Sequence, residues 1–277
     1  MSTVFTRLLL ATEHTEFDSG AEALAFALAQ RCGLPLAAVL PIVSNAEFEA
    51  VAPQLAARAD AEAATRREQV EALAARHGIA LDLEVRRGSE PFHEIVDAAR
   101  ERHADLLVIR RRGKRGLLAN LLVGEMVSKV VAHAPCSVLV TPRGAAMWQR
   151  QVLVAIDPQS PAPDLLAQAA EIAAECGIGL RLLCVAANDA ARSAAAQALE
   201  AALLQARLRC PGADGEVRVG RPHQALMDAA AAAGADLIVI GRHGGDTLGR
   251  AWIGGTAQKV IGLAECPVLV HVKAAND

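Results

Sequence analysis

Leu8-Leu9-Leu10-Ala11-Thr12-Glu13 returns 144 positions later as Val152-Leu153-Val154-Ala155-Ile156-Asp157. Each is a short apolar run that ends on a carboxylate. The same offset carries Cys32-Gly33 onto Cys176-Gly177. Further along, Ala104-Asp105-Leu106-Leu107-Val108-Ile109 meets Ala235-Asp236-Leu237-Ile238-Val239-Ile240 at an offset of 131. Ala134-Pro135-Cys136-Ser137-Val138-Leu139-Val140 then meets Glu265-Cys266-Pro267-Val268-Leu269-Val270 at about 130. Four matched blocks in one order, with a slowly drifting offset, are the mark of a duplicated unit. The offset shrinks between the Cys-Gly pair and the Ala-Asp-Leu block, so the first copy holds the longer middle helical region, roughly residues 46–78.

The 277 residues leave room for two domains of ordinary size. The expected boundaries are residues 1–143 and 150–277, joined by a linker in which Trp148 packs rather than dangles. With 53% hydrophobic and 21% charged residues and a net charge of -3, the chain reads as a globular protein with no call on nucleic acid or a membrane surface. Met1 to Leu10 lacks a basic segment followed by a long apolar run, and no apolar stretch reaches the roughly 20 residues a bilayer requires. The expected location is the cytoplasm. Six cysteines without a C-x-x-C pair or regular Cys/His spacing read as buried free thiols.

Within each copy, short β-rich runs alternate with stretches of helical period, which predicts an α/β fold with a doubly wound parallel sheet. Strands are expected near residues 8–12, 36–43, 81–86, 106–110 and 137–141, and again near 152–156, 180–185, 216–219, 237–241 and 268–272. Ser19 with Glu22 has capping-box spacing, and Gly33 supplies a left-handed helix exit. The Val/Leu-rich last strands are edges that need covering, so their pairing would make an internal pseudo-dimer. Whether two chains associate further as a homodimer stays open. In strand order 3-2-1-4-5 the order reverses between strands one and four, where such sheets bind ligands. Asp157 and Gly241 should therefore face each other.

After its fourth strand the second copy reads Gly241-Arg242-His243-Gly244-Gly245-Asp246-Thr247-Leu248-Gly249-Arg250-Ala251-Trp252-Ile253-Gly254-Gly255-Thr256, and a helical run follows. Glycines let backbone approach an anion, and the first free N–H groups of a helix point at it. No G-x-x-x-x-G-K-[ST] occurs, so rapid ATP hydrolysis is not expected. No G-x-S-x-G anchors a hydrolase triad. The chain is thus expected to be no enzyme, or at most a slow ATPase in which Asp157 or His243 positions water.

Gly241-x2-Gly244-x9-Gly254, the Asp that ends strand one and the final Cys266-Pro267-Val268-Leu269-Val270 strand together resemble the universal stress protein family, twice along the chain. The resemblance implies a five-stranded 3-2-1-4-5 sheet, a stress-response or regulatory role, and binding of ATP or a related adenine nucleotide (ADP or AMP), with Mg²⁺ accompanying the phosphates. It places Asp157, next to Ala155 and Ile156, at the adenine or ribose. It gives Val185 a backbone contact to adenine and makes Ile240 and Gly241 a wall for the base. Gly244, Gly254, Gly255 and Thr256 would hold the phosphates, with His243 touching one. Gly255 stands where the family pattern has Ser or Thr, and the hydroxyl comes one place later at Thr256.

The first copy departs further. Arg110 replaces the first glycine, ten residues separate Gly113 from Gly124 where the second copy has nine, Glu125 stands at the helix start, and Glu13 replaces the Asp. A carboxylate at a helix amino terminus satisfies the dipole itself and repels phosphate, so this copy is expected to bind ATP poorly. Arg110 to Arg115 read as a solvated basic loop paired with Glu125, and His93 and His223 as helix-start residues. The alternative for the whole chain is a ligand-free module that presents its surface to a protein partner.

Overall fold

The computed structural model describes residues 4–111, 124–160, 162–242 and 252–273, apart from the side chains of Ala46 and Phe48. The first copy runs β1 (Leu8–Ala11), α1 (Ser19–Cys32), β2 (Leu36–Val43), α2 (Ala46–Val51), α3 (Pro53–Arg76), β3 (Leu81–Gly88), α4 (Pro91–Glu101), β4 (Leu106–Arg110), α5 (Glu125–His133) and β5 (Ser137–Thr141). The second runs β6 (Gln151–Ile156), α6 (Pro163–Cys176), β7 (Gly179–Ala186), α7 (Arg192–Arg207), β8 (Asp214–Val219), α8 (Pro222–Ala233), β9 (Leu237–Gly241), α9 (Gly255–Leu263) and β10 (Val268–His271). The strands form one ten-stranded sheet in the order β3-β2-β1-β4-β5-β10-β9-β6-β7-β8. Each half is therefore 3-2-1-4-5. Pairing is parallel within each copy and antiparallel only where β5 meets β10, with Leu139 opposite Leu269.

The period of two along β1 sends Leu8 and Leu10 to one face of the sheet and Leu9 and Ala11 to the other. Both apolar layers run through both copies, joining Leu10 with Val154 on one face and Leu9 with Leu153 on the other. The internal pseudo-dimer expected from the apolar edges is the architecture observed. The duplicated aspartates explain one matched block. Asp105 accepts hydrogen bonds from the Thr6 and Arg7 N–H groups, and Asp236 accepts them from Gln149, Arg150 and Gln151. Each carboxylate pins the entry of a first strand against the start of its fourth strand.

The Cys-Gly repeat marks helix ends. Gly33 and Gly177 take φ of 65° and 64°, a left-handed conformation that costs other residues about 1–2 kcal/mol. The expected capping box at Ser19 and Glu22 does not form. Ser19 is already the first residue of α1, and its hydroxyl donates to the Glu16 carbonyl. Glu22 turns inward instead, accepting from the Thr12 hydroxyl at 2.7 Å and from His14 Nδ1 at 2.9 Å. The longer middle region of the first copy becomes α2 plus the 24-residue α3, against one 3₁₀ turn and the 16-residue α7 in the second. Trp148 is buried in the connection, and its Nε1–H donates to Cys176 Sγ at 3.3 Å.

Two arginines exchange places across the seam. Arg111 donates to the Ile261 and Gly262 carbonyls at 3.1 and 3.2 Å and to that of Ala264, at the end of α9. Arg242 donates to the Ala132 and Ala134 carbonyls at 3.0 and 3.3 Å, at the end of α5. Terminal helix carbonyls have no partner within the helix and carry the negative end of its dipole, so each guanidinium satisfies the other copy's last helix. The expectation that Arg110 to Arg115 form a solvated loop fails for Arg111, which is spent on this seam, and for Arg110, described below. Residues 112–115 lie outside the described residues.

The seam also holds a titrating group. His271 Nδ1 meets Gln168 Oε1 at 2.9 Å, and the Ser137 hydroxyl lies beside the same oxygen at 3.4 Å. Burial pushes the His271 imidazole below its ordinary value of 6.5, against a smaller opposing pull from Asp164. The unfolded chain then takes up a proton near pH 6.5 that the folded chain refuses, so folding stability is retained above that pH and is lost as the pH falls below it. His271→Gln should flatten the decline in urea-unfolding free energy between neutral pH and pH 5. An unchanged slope would mean that His271 does not contribute to it.

Candidate functional site

The strand order reverses between β6 and β9, which pair through Val154 and Val239, so their carboxyl ends diverge above the sheet. A cleft of about 280 Å³ opens there. Nine of the residues expected at the site line it: Ala155 and Ile156 ending β6 with Asp157 just after it, Val185 in β7, Ile240 and Gly241 ending β9, and the cap Gly254 with Gly255 and Thr256 at the start of α9. His243 and Gly244 lie outside the described residues. The structure thus brings Asp157 and Gly241 to one cleft, as the switch-point rule required.

Gly254 caps α9 with φ of -62° and ψ of 145°, and its N–H donates to the Arg242 carbonyl at 3.0 Å. Gly255 opens the helix, and a Cβ built on it would meet nothing within 4 Å. The first turn of α9 is therefore open to an approaching anion, and Thr256 is exposed beside it. One Asp157 oxygen accepts the Gln159 N–H at 2.9 Å, which orients the carboxylate at the cleft. The Asp157 charge and burial, burial foremost, push the Cys184 thiol up to about 11, so this neighbour stays protonated at neutral pH.

Sequence reasoning missed Pro158, Leu183, Pro222, Leu226, Arg242, Trp252 and Ala257 on the same lining. Pro222 and Leu226 come from α8, whose apolar face carries no sign of a cleft in its spacing. Trp252 is 40% exposed, one of only two tryptophans in the chain, and stands two residues before Gly254. That position was the available signal.

In the first copy the equivalent inner space, between Ala11, Glu13, Ile109 and Arg110, measures about 10 Å³. A space of that size holds at most about one water. Arg110 fills it. Its guanidinium is buried and bonds Asp18 Oδ2 at 2.7 Å, Thr15 Oγ1 at 2.6 Å and Glu13 Oε2 at 2.8 Å. Glu125 starts α5 where Gly255 starts α9, and it pairs with Lys129 at 3.1 Å rather than with Arg110. Outside this plug a larger cleft of about 780 Å³ lies between the ends of β1 and β2, α3, α4 and α5. Among the described residues, no group of three or more His, Cys, Asp or Glu side chains is placed to hold a metal ion, and no helix is long and apolar enough to cross a membrane.

The sequence profile of the Universal stress protein family matches residues 5–142 and again residues 149–273. A universal stress protein of Thermus aquaticus is 42% identical over 60 residues, 22% of this chain and 44% of that relative. A universal stress protein of Synechocystis is 43% identical over 63 residues, 23% of this chain and 40% of that relative. The chain thus spans less than half the length of these two relatives. The crystal structure of a universal stress protein from Archaeoglobus fulgidus has a TM-score of 0.68 at 19% identity, covering 96% of this chain and 97% of that one. At that identity the likeness concerns the fold.

Proposed function

Because the chain belongs to the universal stress protein family, we propose that residues 150–277 form an adenine-nucleotide-binding domain, with ATP, ADP or AMP as ligand and a stress-response or regulatory role. Residues 1–143 form a domain of the same fold that leaves this ligand aside. The observation that carries the reading is the open glycine start of α9, Gly254 and Gly255, at one end of a switch-point cleft whose other end is Asp157.

The residues fit the group. The apolar pair Val185 and Ile240 would enclose the base, and Asp157 would accept from ribose hydroxyls. The N–H groups opening α9 would hold phosphate oxygens with the help of the helix dipole. The cleft is close to the lower end of the roughly 300–1,000 Å³ common for small-molecule sites, which suits a nucleoside inside with its phosphates along the helix start. Bound Mg²⁺ would arrive on the phosphates.

Titration with ATP tests this. Binding should quench or shift the emission of Trp252 and raise the melting temperature, since ligand at about 100 times its Kd adds about 2.7 kcal/mol. Asp157→Ala should weaken binding by about tenfold, the loss of one hydrogen bond to a charged acceptor. No stabilisation by ATP, ADP or AMP at millimolar concentration would overturn the reading and favour the protein-interaction module.

A further inference from the structure

The helix that opens onto the nucleotide cleft is held at its far end by the other domain. We propose that Arg111 of the first domain is a positioning residue for the second domain's ligand, raising its affinity for phosphate through the charge it places on the carboxyl end of α9. Resting on the nucleotide reading, this gives the domain that leaves the ligand aside a part in holding it.

α9 has only nine residues, Gly255–Leu263, so its ends lie about 13 Å apart. Its amino end opens on the cleft through Gly255 and Thr256. At its carboxyl end Arg111 Nη1 donates to the Ile261 and Gly262 carbonyls at 3.1 and 3.2 Å, and to that of Ala264. The Arg111 N–H donates to the Thr141 carbonyl at 2.7 Å, which fixes the root of this side chain to the end of β5. The residue is half-buried, so bulk water and salt screen its charge only in part.

The equivalent helix of the first domain shows what α9 lacks. α5 carries a guanidinium on its carboxyl end, that of Arg242, and an anion of its own, Glu125, at its amino end. α9 carries the same cation and has no acidic residue in its first turn. A phosphate at Gly255 would complete on α9 what Glu125 completes on α5. Arg111 offsets the negative end of the helix dipole and attracts the anion directly. Across about 13 Å, one unit charge alters the affinity for another by about twofold in water and about eightfold at the effective dielectric near a protein surface. Glu265, just past the helix, opposes Arg111, but it is exposed and screened.

The full chain, Arg111→Met and Arg111→Lys can be titrated with ATP, AMP and adenosine, read through Trp252 emission. Arg111→Met keeps an unbranched side chain without its charge. It should weaken ATP and AMP by about three- to eightfold and leave uncharged adenosine unchanged. Arg111→Lys should recover most of the loss. Packing damage would weaken adenosine as well, so an equal loss for adenosine would overturn the proposal. No loss for ATP and AMP, or no recovery with lysine, would overturn it too. Failure of the unaltered chain to bind any of the three would overturn the nucleotide reading, and this proposal with it. If Arg111→Met fails to fold, Glu265→Lys, on an exposed residue beside the same helix end, decides. At low ionic strength it should tighten ATP by about twofold and leave adenosine unchanged. An unchanged ATP affinity there would overturn the proposal.

Discussion

Gly255→Glu should lower the affinity for ATP by about 100-fold, close to 2.7 kcal/mol, while the protein without nucleotide melts slightly higher. The substitution writes the first domain's residue into the second, since Glu125 and Gly255 are the first residues of α5 and α9, two helices of nine residues that each follow a glycine cap. A carboxylate about 5 Å from one phosphate charge opposes it by about 3 kcal/mol at the effective dielectric near a protein surface. It also competes for the N–H groups that would hold the anion. Folding should not suffer, because a Cβ at this position meets nothing within 4 Å. An acidic side chain at a helix start adds about 0.3–1 kcal/mol instead, and removing a glycine from the unfolded chain adds a similar amount. Isothermal titration and thermal unfolding of the same preparation check both signs. Unchanged ATP affinity would show that α9 does not hold the phosphates. A lowered melting point would show that the loss reports damage rather than repulsion.

The division between the copies was legible in the sequence to the extent that it depended on glycine and on charge at helix ends. Gly33 and Gly177 could be read as helix exits because only a residue without Cβ takes that conformation cheaply, and their φ values agree. The strands followed from short apolar runs and from the repeat, their order from the family resemblance, and the pairing of β5 with β10 from two apolar edges that needed cover. What stayed hidden was the destination of long polar side chains. Arg110 and Arg111 are neighbours in a basic run, yet one plugs its own domain and the other caps a helix 150 positions away. Spacing along the chain does not encode contacts of that range. Glu22 failed as a capping residue for the same reason, because Thr12 and His14, brought to it by the turn after β1, offered a buried partner. Arg242 and Trp252 stood next to the predicted glycines in the sequence, but their place on the cleft depended on how α8 and α9 lean over the sheet.

Arg110→Ala should be the most destabilising single change at the first domain's switch point, by about 3–5 kcal/mol, the cost of leaving one partner of a buried ion pair alone. Asp18 is 1% exposed and Arg110 3% exposed, so water cannot replace the lost partner without opening the fold. Asp18 would keep the Thr15 N–H at 2.8 Å and the Thr15 hydroxyl at 2.6 Å, which places the expectation at the lower end of that range. For a domain of this size each kcal/mol moves the melting temperature by about 2–4 °C, so a fall of about 6–12 °C is expected. Replacing both partners separates charge from packing. Arg110→Met with Asp18→Asn keeps side-chain volume and removes the unpaired charge of Asp18, leaving the part-exposed Glu13 to water, and it should recover at least half of the loss. Urea unfolding followed by Trp148, buried in the connection between the copies, reads both variants. A loss below about 1 kcal/mol for Arg110→Ala would mean that the pair is no more than a surface contact, and the account of Arg110 as the plug that closes the first domain to nucleotide would fall with it. Full recovery in the double variant would show that the ion pair adds no stability beyond its volume. Its role would then lie in occupying the inner switch point of the first copy with a charged group rather than in stability.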